Sequence, residues 1–573
     1  MKNNIKIIPL GGVRENGKDL YAIEINDNSI FILDCGLKYP QNEMLGIDFV
    51  IPDFSYLRDN ADKIVGVFLT HGHADAIGAL PYFLSEFNVP VFGTELTIGL
   101  AKLAVADNKK TKKFNDFHVI NSKSEIVFED GTVSFFDTTH SIPDSVGIVI
   151  STELGNIVYT GDFKFDQTAA DGYKTDYAAL ADIGKEHVLA LLSDSRNADN
   201  PEESTDEKEI RDYLYETFHY QKGRVIVACL ANNILRIQEV LNAAAKAGRR
   251  VYLTSKGLEE VIDTALKLGK LTLPSDDLFI KSAKEMEKMD PHNIIILQTG
   301  KNGEPMESLQ RMADNRDRYV DIQPGDLVLI ATSPSRAMDT PWAKTRDMIY
   351  KAGGEVMSIA DEKNISGDAS KHDLQLLLNL IHPDYLIPIQ GEYRLMEAQK
   401  ELAEEVGMKP SHIILPAKGD VIEFDGENMF LSEAVPASDT MIDGIGVGDI
   451  GNIVLRDRKV LSEDGVFVAV VTIDRKKKKI ISEPKIMARG FVYVNSDKSL
   501  LGEAAEIVTK AVQNNLDNKE FDWGHLKQDV REDLGQFLYK KTGRRPVILP
   551  VIMEVNQHHR RKKSNNKNDQ EDN

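Results

Sequence analysis

The run Thr70-His71-Gly72-His73-Ala74-Asp75-Ala76 follows directly on a continuous apolar stretch, Ile64 to Thr70, which reads as a buried strand. Two imidazoles one residue apart, with a carboxylate two residues further on, converge on a metal ion if the loop is tight. Gly72 permits that tightness. Imidazole suits zinc, and a carboxylate completes or bridges a site. A lone His in a polar loop would carry no such reading, but two further runs support it. Thr139-His140-Ser141 and Thr160-Gly161-Asp162 each end a strand-like segment, in the order a folded-back sandwich needs.

Working outward, residues 5–10 and 29–34 read as strands, with Gly11-Gly12 marking a tight turn between them. A helical pattern runs from Ile77 to Phe87, and strands recur at 133–137, 146–151 and 156–160. Strands that each end in a His- or Asp-bearing loop suit a sheet sandwich flanked by helices, with chemistry at the strand ends. From about 206 to 350, strand-like Arg224–Leu230, Arg250–Thr254, Asn293–Gln298 and Leu327–Ala331 alternate with helical stretches, the pattern of a parallel α/β domain. Short strands, among them Tyr385–Ile389, return over 355–432, and a glycine-rich linker spans Ile442 to Gly451. A third unit over 453–555 has strands at 466–473 and 478–482, a helix near 500–515 and a last strand over 546–555. The segment from Gln557 to Asn573 lacks apolar residues and reads as disordered.

At 573 residues the chain exceeds a single core. Cys35 and Cys229, its only cysteines, sit in apolar runs and read as buried thiols of a reducing, cytoplasmic compartment. No apolar run is long enough for a membrane span, and Met1-Lys2-Asn3-Asn4 leads into a strand without a signal core. The net charge of −21 opposes nucleic-acid binding by the chain as a whole, so a nucleic-acid channel would need a local basic lining or a partner that supplies one. Arg475-Lys476-Lys477-Lys478-Lys479 is read first as a solvated hairpin turn, with RNA contact second. Arg560-Arg561-Lys562-Lys563 supplies RNA attraction or tail solubility.

These motifs resemble the metallo-β-lactamase superfamily and, within it, the β-CASP nucleases of the ribonuclease J family. The resemblance is carried by Leu10-Gly11-Gly12, His140 to Ser145, Gly161 to Asp166, Ser193-Asp194-Ser195, Gly303 to Met306, Ile387 to Glu392, and Arg545 to Pro550. It implies an αββα sandwich with an inserted parallel α/β β-CASP domain and a small C-terminal α/β domain. The expected boundaries are a β-lactamase domain at 1–205 and 351–445, the β-CASP domain at 206–350, a linker at 446–452, the C-terminal domain at 453–555 and a tail at 556–573. It also implies a function in RNA processing and decay, 5′-to-3′ exonucleolytic and in part endonucleolytic. The insertion and the third unit argue against a lactonase or β-lactamase.

By the same resemblance, His71, His73 and His140 hold one zinc or manganese with Asp162 bridging. Asp75, Asp162 and residues 76 and 390 would hold a second ion. Here those last two positions are Ala76 and Gln390. Alanine has no donor atom, and an amide oxygen is a weak zinc ligand. A further usual His falls at Leu235, and a usual His-x-Ser-Gly-His loop reads Asn364-Ile365-Ser366-Gly367-Asp368. That loop leads into a helix near 370–380 whose free N–H groups would attract a phosphate, which the Asp368 charge opposes. Asp194 orders the metal ligands or caps a helix, and Gly303-Glu304 and Gly391-Glu392 line an interdomain cleft or form tight turns. The expectation is one tightly bound metal ion or none and weak nuclease activity. Homodimerisation, or assembly with an active ribonuclease J paralogue, completes it; related bacteria often carry two such chains, and the reduced site resembles the less active one.

Overall fold

The computed structural model describes residues 4–555 except 41–43, 167–172, 202–204, 206, 300–304, 333–338, 445, 449–450, 492–497 and 519. The expectations for Gly303-Glu304 and for the tail from 556, Arg560 to Lys563 included, lie outside the described residues.

Two sheets face each other in the first half. Tyr21–Ile25 pairs antiparallel with Ile5–Pro9 on one side and Ser29–Leu33 on the other, with Ile5 opposite Ile25. These strands belong to an eight-stranded sheet that continues through Ile64–Phe68. The opposing six-stranded sheet contains Thr132–Asp137, Val146–Thr152, Gly155–Tyr159, Val188–Asp194 and Tyr385–Ile389. Alternation assigns each face. Val133, Phe135, Ile148 and Ile150 meet Ile5, Ile23, Phe31 and Phe68 in the interior of the sandwich. Phe136 and Val149, one residue out of phase, pack under the helices Lys371–Ile381 and Tyr393–Glu405 with Leu374, Leu377 and Leu402. This is the αββα sandwich the sequence predicts.

The inserted region is a five-stranded sheet whose described pairings are all parallel: Val225–Ala228 is flanked by Ile294–Gln298 and Leu327–Ile330. Strands buried on both faces must be apolar throughout, and Ile294-Ile295-Ile296-Leu297 is.

The chain separates into two compact units, residues 1–39 with 49–440, and residues 40–48 with 441–573. In the second unit Val466–Asp474 pairs antiparallel with Lys479–Arg489 and parallel with Val547–Glu554. Two helices, Lys498–Asp517 and Trp523–Thr542, bury Val508, Val512, Leu534 and Leu538 against Phe467 and Val471.

Several local expectations are corrected. The helix expected over Ile77–Phe87 is two short ones, Ala74–Ile77 and Leu80–Phe83. The Ala79 N–H bonds to Cys35 O instead of continuing the ladder, and Pro81 starts the second helix. Gly11-Gly12 leads not to the strand at 29 but into Tyr21–Ile25, whose Asn26-Asp27 turn, both residues at positive φ, makes the hairpin. The helix Trp523–Thr542 was not expected, and the strand expected at 478–482 runs from Lys479 to Arg489. The glycine-rich stretch carries a strand, Asp439–Asp443, and is followed by a helix, Asn452–Asp464. The basic run occupies the turn between Val466–Asp474 and Lys479–Arg489, as the first of its two readings had it. No helix among the described residues is long and apolar enough to cross a membrane.

Candidate metal centre

Each ligand loop leaves the end of a strand. After Ile64–Phe68, Thr70 turns the chain by bonding back. Its N–H donates to Asp34 Oδ1 (2.8 Å) and its hydroxyl donates to Asp34 Oδ2 (2.8 Å). Gly72 is not at positive φ; a Cβ there would lie 2.6 Å from Leu100 Cδ1, so that side chain would have to shift. Asp162 follows Gly161, whose φ of +58° suits glycine.

The loops bring His71, His73, His140 and Asp162 together, with one ligand atom from each within 4.8 Å of all the others. His140 Nε2 lies 3.1 Å from His73 Nδ1 and 3.7 Å from Asp162 Oδ2. His71 Nε2 is buried with no hydrogen-bond partner, 3.5 Å from Asp162 Oδ2. The ring nitrogens facing away are fixed. The Thr70 hydroxyl spends its proton on Asp34, so it accepts from His71 Nδ1–H (2.9 Å), and His140 Nδ1–H donates to Gly367 O (2.9 Å). Both Nε2 lone pairs therefore point into the cluster, the arrangement in which a metal-bound imidazole is held. Burial keeps His73 well below the ordinary histidine value and His140 down at about 4. Burial also acts to lower His71, but Asp162 and Asp75 outweigh it and raise its pKa. An orphaned buried nitrogen among neutral imidazoles and a carboxylate fits a borderline-soft divalent ion.

The other side of Asp162 differs. Asp75 Oδ1 is 3.6 Å from His71 Nε2, so this carboxylate also faces the cluster, but its Oδ2 lies 3.1 Å from Arg196 Nη1. Arg196 also contacts Asp162, at 2.9 and 3.1 Å, and Asp19, at 3.2 Å. Ala76 is wholly buried, and its carbonyl accepts from Cys35 N. Gln390, also fully buried and at φ +53°, donates from Nε2 to Asp19 Oδ2 (3.1 Å). Burial would raise Asp75, yet Arg196 and His71 hold it well below the usual carboxylate range. Asp19 is pushed well above that range by its burial.

A cavity of about 860 Å³ opens on this group. Ile365, Ser366, Gly367 and Asp368 line it, whereas Asn364 does not. The backbone of Asn364 is tied to Thr205 and its side chain accepts from Ser366 N, so it anchors the loop. Burial raises Asp368 to about 6, against the pull of Arg196. The expected free N–H groups of the helix Lys371–Ile381 are largely taken. Ser370 and Asp373 form a reciprocal capping box, and Lys371 N donates to Asn200 O. The phosphate attraction expected there is correspondingly reduced. Leu235 stays off the cavity and packs against Tyr173, but the next residue, Arg236, lines it. Arg236 Nε and Nη1 lack hydrogen bonds, and Nη1 faces Glu207 at 3.5 Å. Asp194 does not touch the four-residue group directly; its Oδ1 accepts from Arg196 N (2.9 Å), and burial with Asp368 nearby raises its pKa. Gly391 bridges to Glu15 and packs closely, since a Cβ would meet Ser195 Oγ at 2.5 Å, and Glu392 pairs with Arg394. Sequence reading missed Arg196, Arg236 and Asp19. Arg196 lies two residues past the strand end at Asp194, and strand ends are where site residues gather.

The αββα sandwich with its His/Asp group at the strand ends defines a metal-binding protein of the metallo-β-lactamase superfamily, and residues 15–200 match that superfamily. Residues 222–337 match the ribonuclease J β-CASP domain, 357–416 a zinc-dependent metallo-hydrolase RNA specificity domain, and 453–555 the ribonuclease J C-terminal domain. The chain is 55% identical to ribonuclease J 2 of Streptococcus pyogenes, over 96% of this chain and 100% of that one. It is 46% identical to ribonuclease J2 of Bacillus subtilis (96% and 99% covered) and 43% to ribonuclease J 2 of Staphylococcus aureus (96% and 98%). A crystal structure of a protein of unknown function from Enterococcus faecalis shares the fold, at TM-score 0.51 and 15% identity over 74% of this chain and 100% of that one. The chain belongs to the ribonuclease J family.

Proposed function

We propose that the chain is a cytoplasmic ribonuclease J-type protein of RNA processing and decay. It holds at most one zinc or manganese ion, has weak nuclease activity of its own, and acts in a complex with an active ribonuclease J paralogue. The observation that carries this reading is the asymmetry about Asp162. The histidine side keeps its full donor set, while the side of Ala76 and Gln390 offers no imidazole. The domain assignment proposed is a β-lactamase domain split into 1–205 and 351–445 around a β-CASP insertion, followed by the C-terminal domain.

His71, His73, His140 and Asp162 would hold the ion, which when bound polarises a water or a phosphate oxygen. Thr70 with Asp34, and Gly367 with its carbonyl, fix the imidazole tautomers. Arg236, buried and facing Glu207, brings a positive charge to the cavity lining, and the 365–368 loop lines the same cavity. Two-ion phosphodiester hydrolysis clamps the attacking and leaving oxygens together, and a single ion gives up that clamp. At a net charge of −21 the chain alone gains little from counterion release on RNA, so a less acidic partner would supply much of the affinity.

The test is turnover of 5′-monophosphorylated RNA by the purified chain, with and without the paralogue. The expected result is slow hydrolysis alone and co-purification with the paralogue at physiological salt. Turnover of roughly 1–10³ per second by the isolated chain, with no complex formed, would show an independent nuclease instead.

A further inference from the structure

One oxygen each of Asp75 and Asp19, and both oxygens of Asp162, converge on one group, the Arg196 guanidinium. Its Nη1 lies 2.9 Å from Asp162 Oδ2 and 3.1 Å from Asp75 Oδ2. Its Nη2 lies 3.1 Å from Asp162 Oδ1 and 3.2 Å from Asp19 Oδ2. We infer that Arg196 is a built-in cation that takes the place of the second metal ion and excludes it, making the centre mononuclear by construction rather than by weak affinity alone. This rests on the reading of the histidine side as the one metal site.

Three features support the assignment. The side chain is held rather than adrift. It is only 15% exposed, and its backbone N–H is fixed by Asp194 Oδ1 at the end of the strand Val188–Asp194. Asp194 therefore acts as a positioning residue for the guanidinium, a use that neither metal ligation nor helix capping gives it. The neighbouring substitutions agree with the exchange. Gln390, instead of offering an imidazole to an ion, donates an amide N–H to the same Asp19 oxygen that Arg196 holds. That leaves Asp19 engaged by N–H donors from two sides. Finally, the chemistry of the group makes it permanent. A guanidinium has five donors, no acceptor and no accessible neutral form, so it neither ligates a metal nor leaves by losing a proton. An ion between Asp75 and Asp162 needs oxygens at about 2.0–2.2 Å, and the space beside those oxygens is filled by Nη1. The surrounding acids raise the Arg196 pKa further, outweighing its burial.

The experiment uses the full chain as wild type, Arg196→Ala and Arg196→Gln, stripped with chelator and titrated with Mn²⁺. Bound metal is read by elemental analysis and calorimetry, and folding by thermal melting with and without Mn²⁺. The expected wild-type stoichiometry is one. Each variant should gain one further equivalent, bound about 100-fold or more tightly than any second ion on the wild type, because a full charge at contact distance has been removed. Where the stripped variants are unfolded by their uncompensated carboxylates, Mn²⁺ should restore a cooperative melt. Variants that fold and bind no more Mn²⁺ than the wild type overturn the inference, as does a wild type with two tight equivalents. Failure of Mn²⁺ to restore either variant overturns it too. A wild type with no tight ion whose variants gain one would refute the histidine-side reading and leave the role of Arg196 standing.

Discussion

Replacing Thr70 by Val tests whether the histidine side is built to bind metal, because it removes one hydroxyl and nothing else of size. The hydroxyl is buried and makes two bonds, donating to Asp34 Oδ2 at 2.8 Å and accepting from His71 Nδ1–H at 2.9 Å. Asp34 keeps its bonds from Thr70 N (2.8 Å) and Tyr159 OH (2.6 Å), so the fold should survive with a loss of about 1.5–3 kcal/mol, the worth of one hydrogen bond to a charged group. Asp34 already sits at about 6 through burial, and losing a donor raises it further. The effect on metal should be larger than that on folding suggests. Without an acceptor at Nδ1, the His71 ring is free to present its protonated nitrogen to the cluster. Loss of such an outer partner typically weakens binding 10–100-fold, about 1.4–2.7 kcal/mol. The assay is Zn²⁺ competition against a chromophoric chelator, with Thr70→Ser as the control that keeps the hydroxyl. Val within about threefold of the wild type, or Ser losing as much as Val, would show that the Asp34–Thr70–His71 chain does not orient the ligand.

Metal binding should release its proton chiefly from His71. His71 is raised and must lose its proton to an incoming ion, whereas His73 and His140 are already neutral. A plot of log affinity against pH with a slope near three would contradict this. Asp368→Asn should tighten binding of a 5′-monophosphorylated oligonucleotide by about fivefold or more at pH 8, where the wild-type carboxylate is charged, and by less at pH 5, below its value of about 6. A variant no tighter than the wild type at pH 8 would remove Asp368 from the phosphate's surroundings. Asp439→Asn should cost about 3 kcal/mol at pH 7, because it strips a partner from the fully buried Lys18. Burial would raise Asp439, but Lys18, Lys418 and Lys38 hold it well below the usual range. Its contribution is therefore complete above the unfolded-state value near 4 and is lost as the pH falls further. Chemical unfolding at pH 7, 4 and 3 should show the gap between variant and wild type narrowing, and a gap that widens in acid would reverse the sign.

The parts of this molecule legible in the sequence were those where one residue type has one common reason to be present. A strand running into His71-Gly72-His73 announced a ligand loop, and the succession of strands ending in His- or Asp-bearing loops announced a sheet sandwich flanked by helices. What stayed hidden depends on partners distant in sequence. Asp19 reads as one more loop acid until Arg196 is found beside it, 177 residues away. The helix break at Ala79 is set by a carbonyl on Cys35, which no local pattern carries. Ser370 and Asp373 spell a capping box in the sequence, and attention to that spacing would have withdrawn the free N–H groups from the phosphate argument.

Two of the departures meet at one group. Ala76 follows Asp75 and Gln390 donates to Asp19, and both acids, with Asp162, contact the Arg196 guanidinium. Random loss of ligands would leave buried carboxylates without a cation, and an uncompensated buried charge is strongly destabilising. Here Asp75, Asp19 and Asp162 share a guanidinium that does not depend on metal supply or on pH. With Arg196 as the built-in cation, the exchange preserves the charge balance that keeps the cavity floor folded. It would give up what a second ion supplies to a reacting phosphate, because Arg196 Nη1 and Nη2 are turned to carboxylates. On the function proposed above, a site altered in that way would keep its cavity walls while its chemistry slowed. It would then serve for holding RNA or a partner more than for turnover, which is the reason to propose assembly with an active paralogue over independent catalysis.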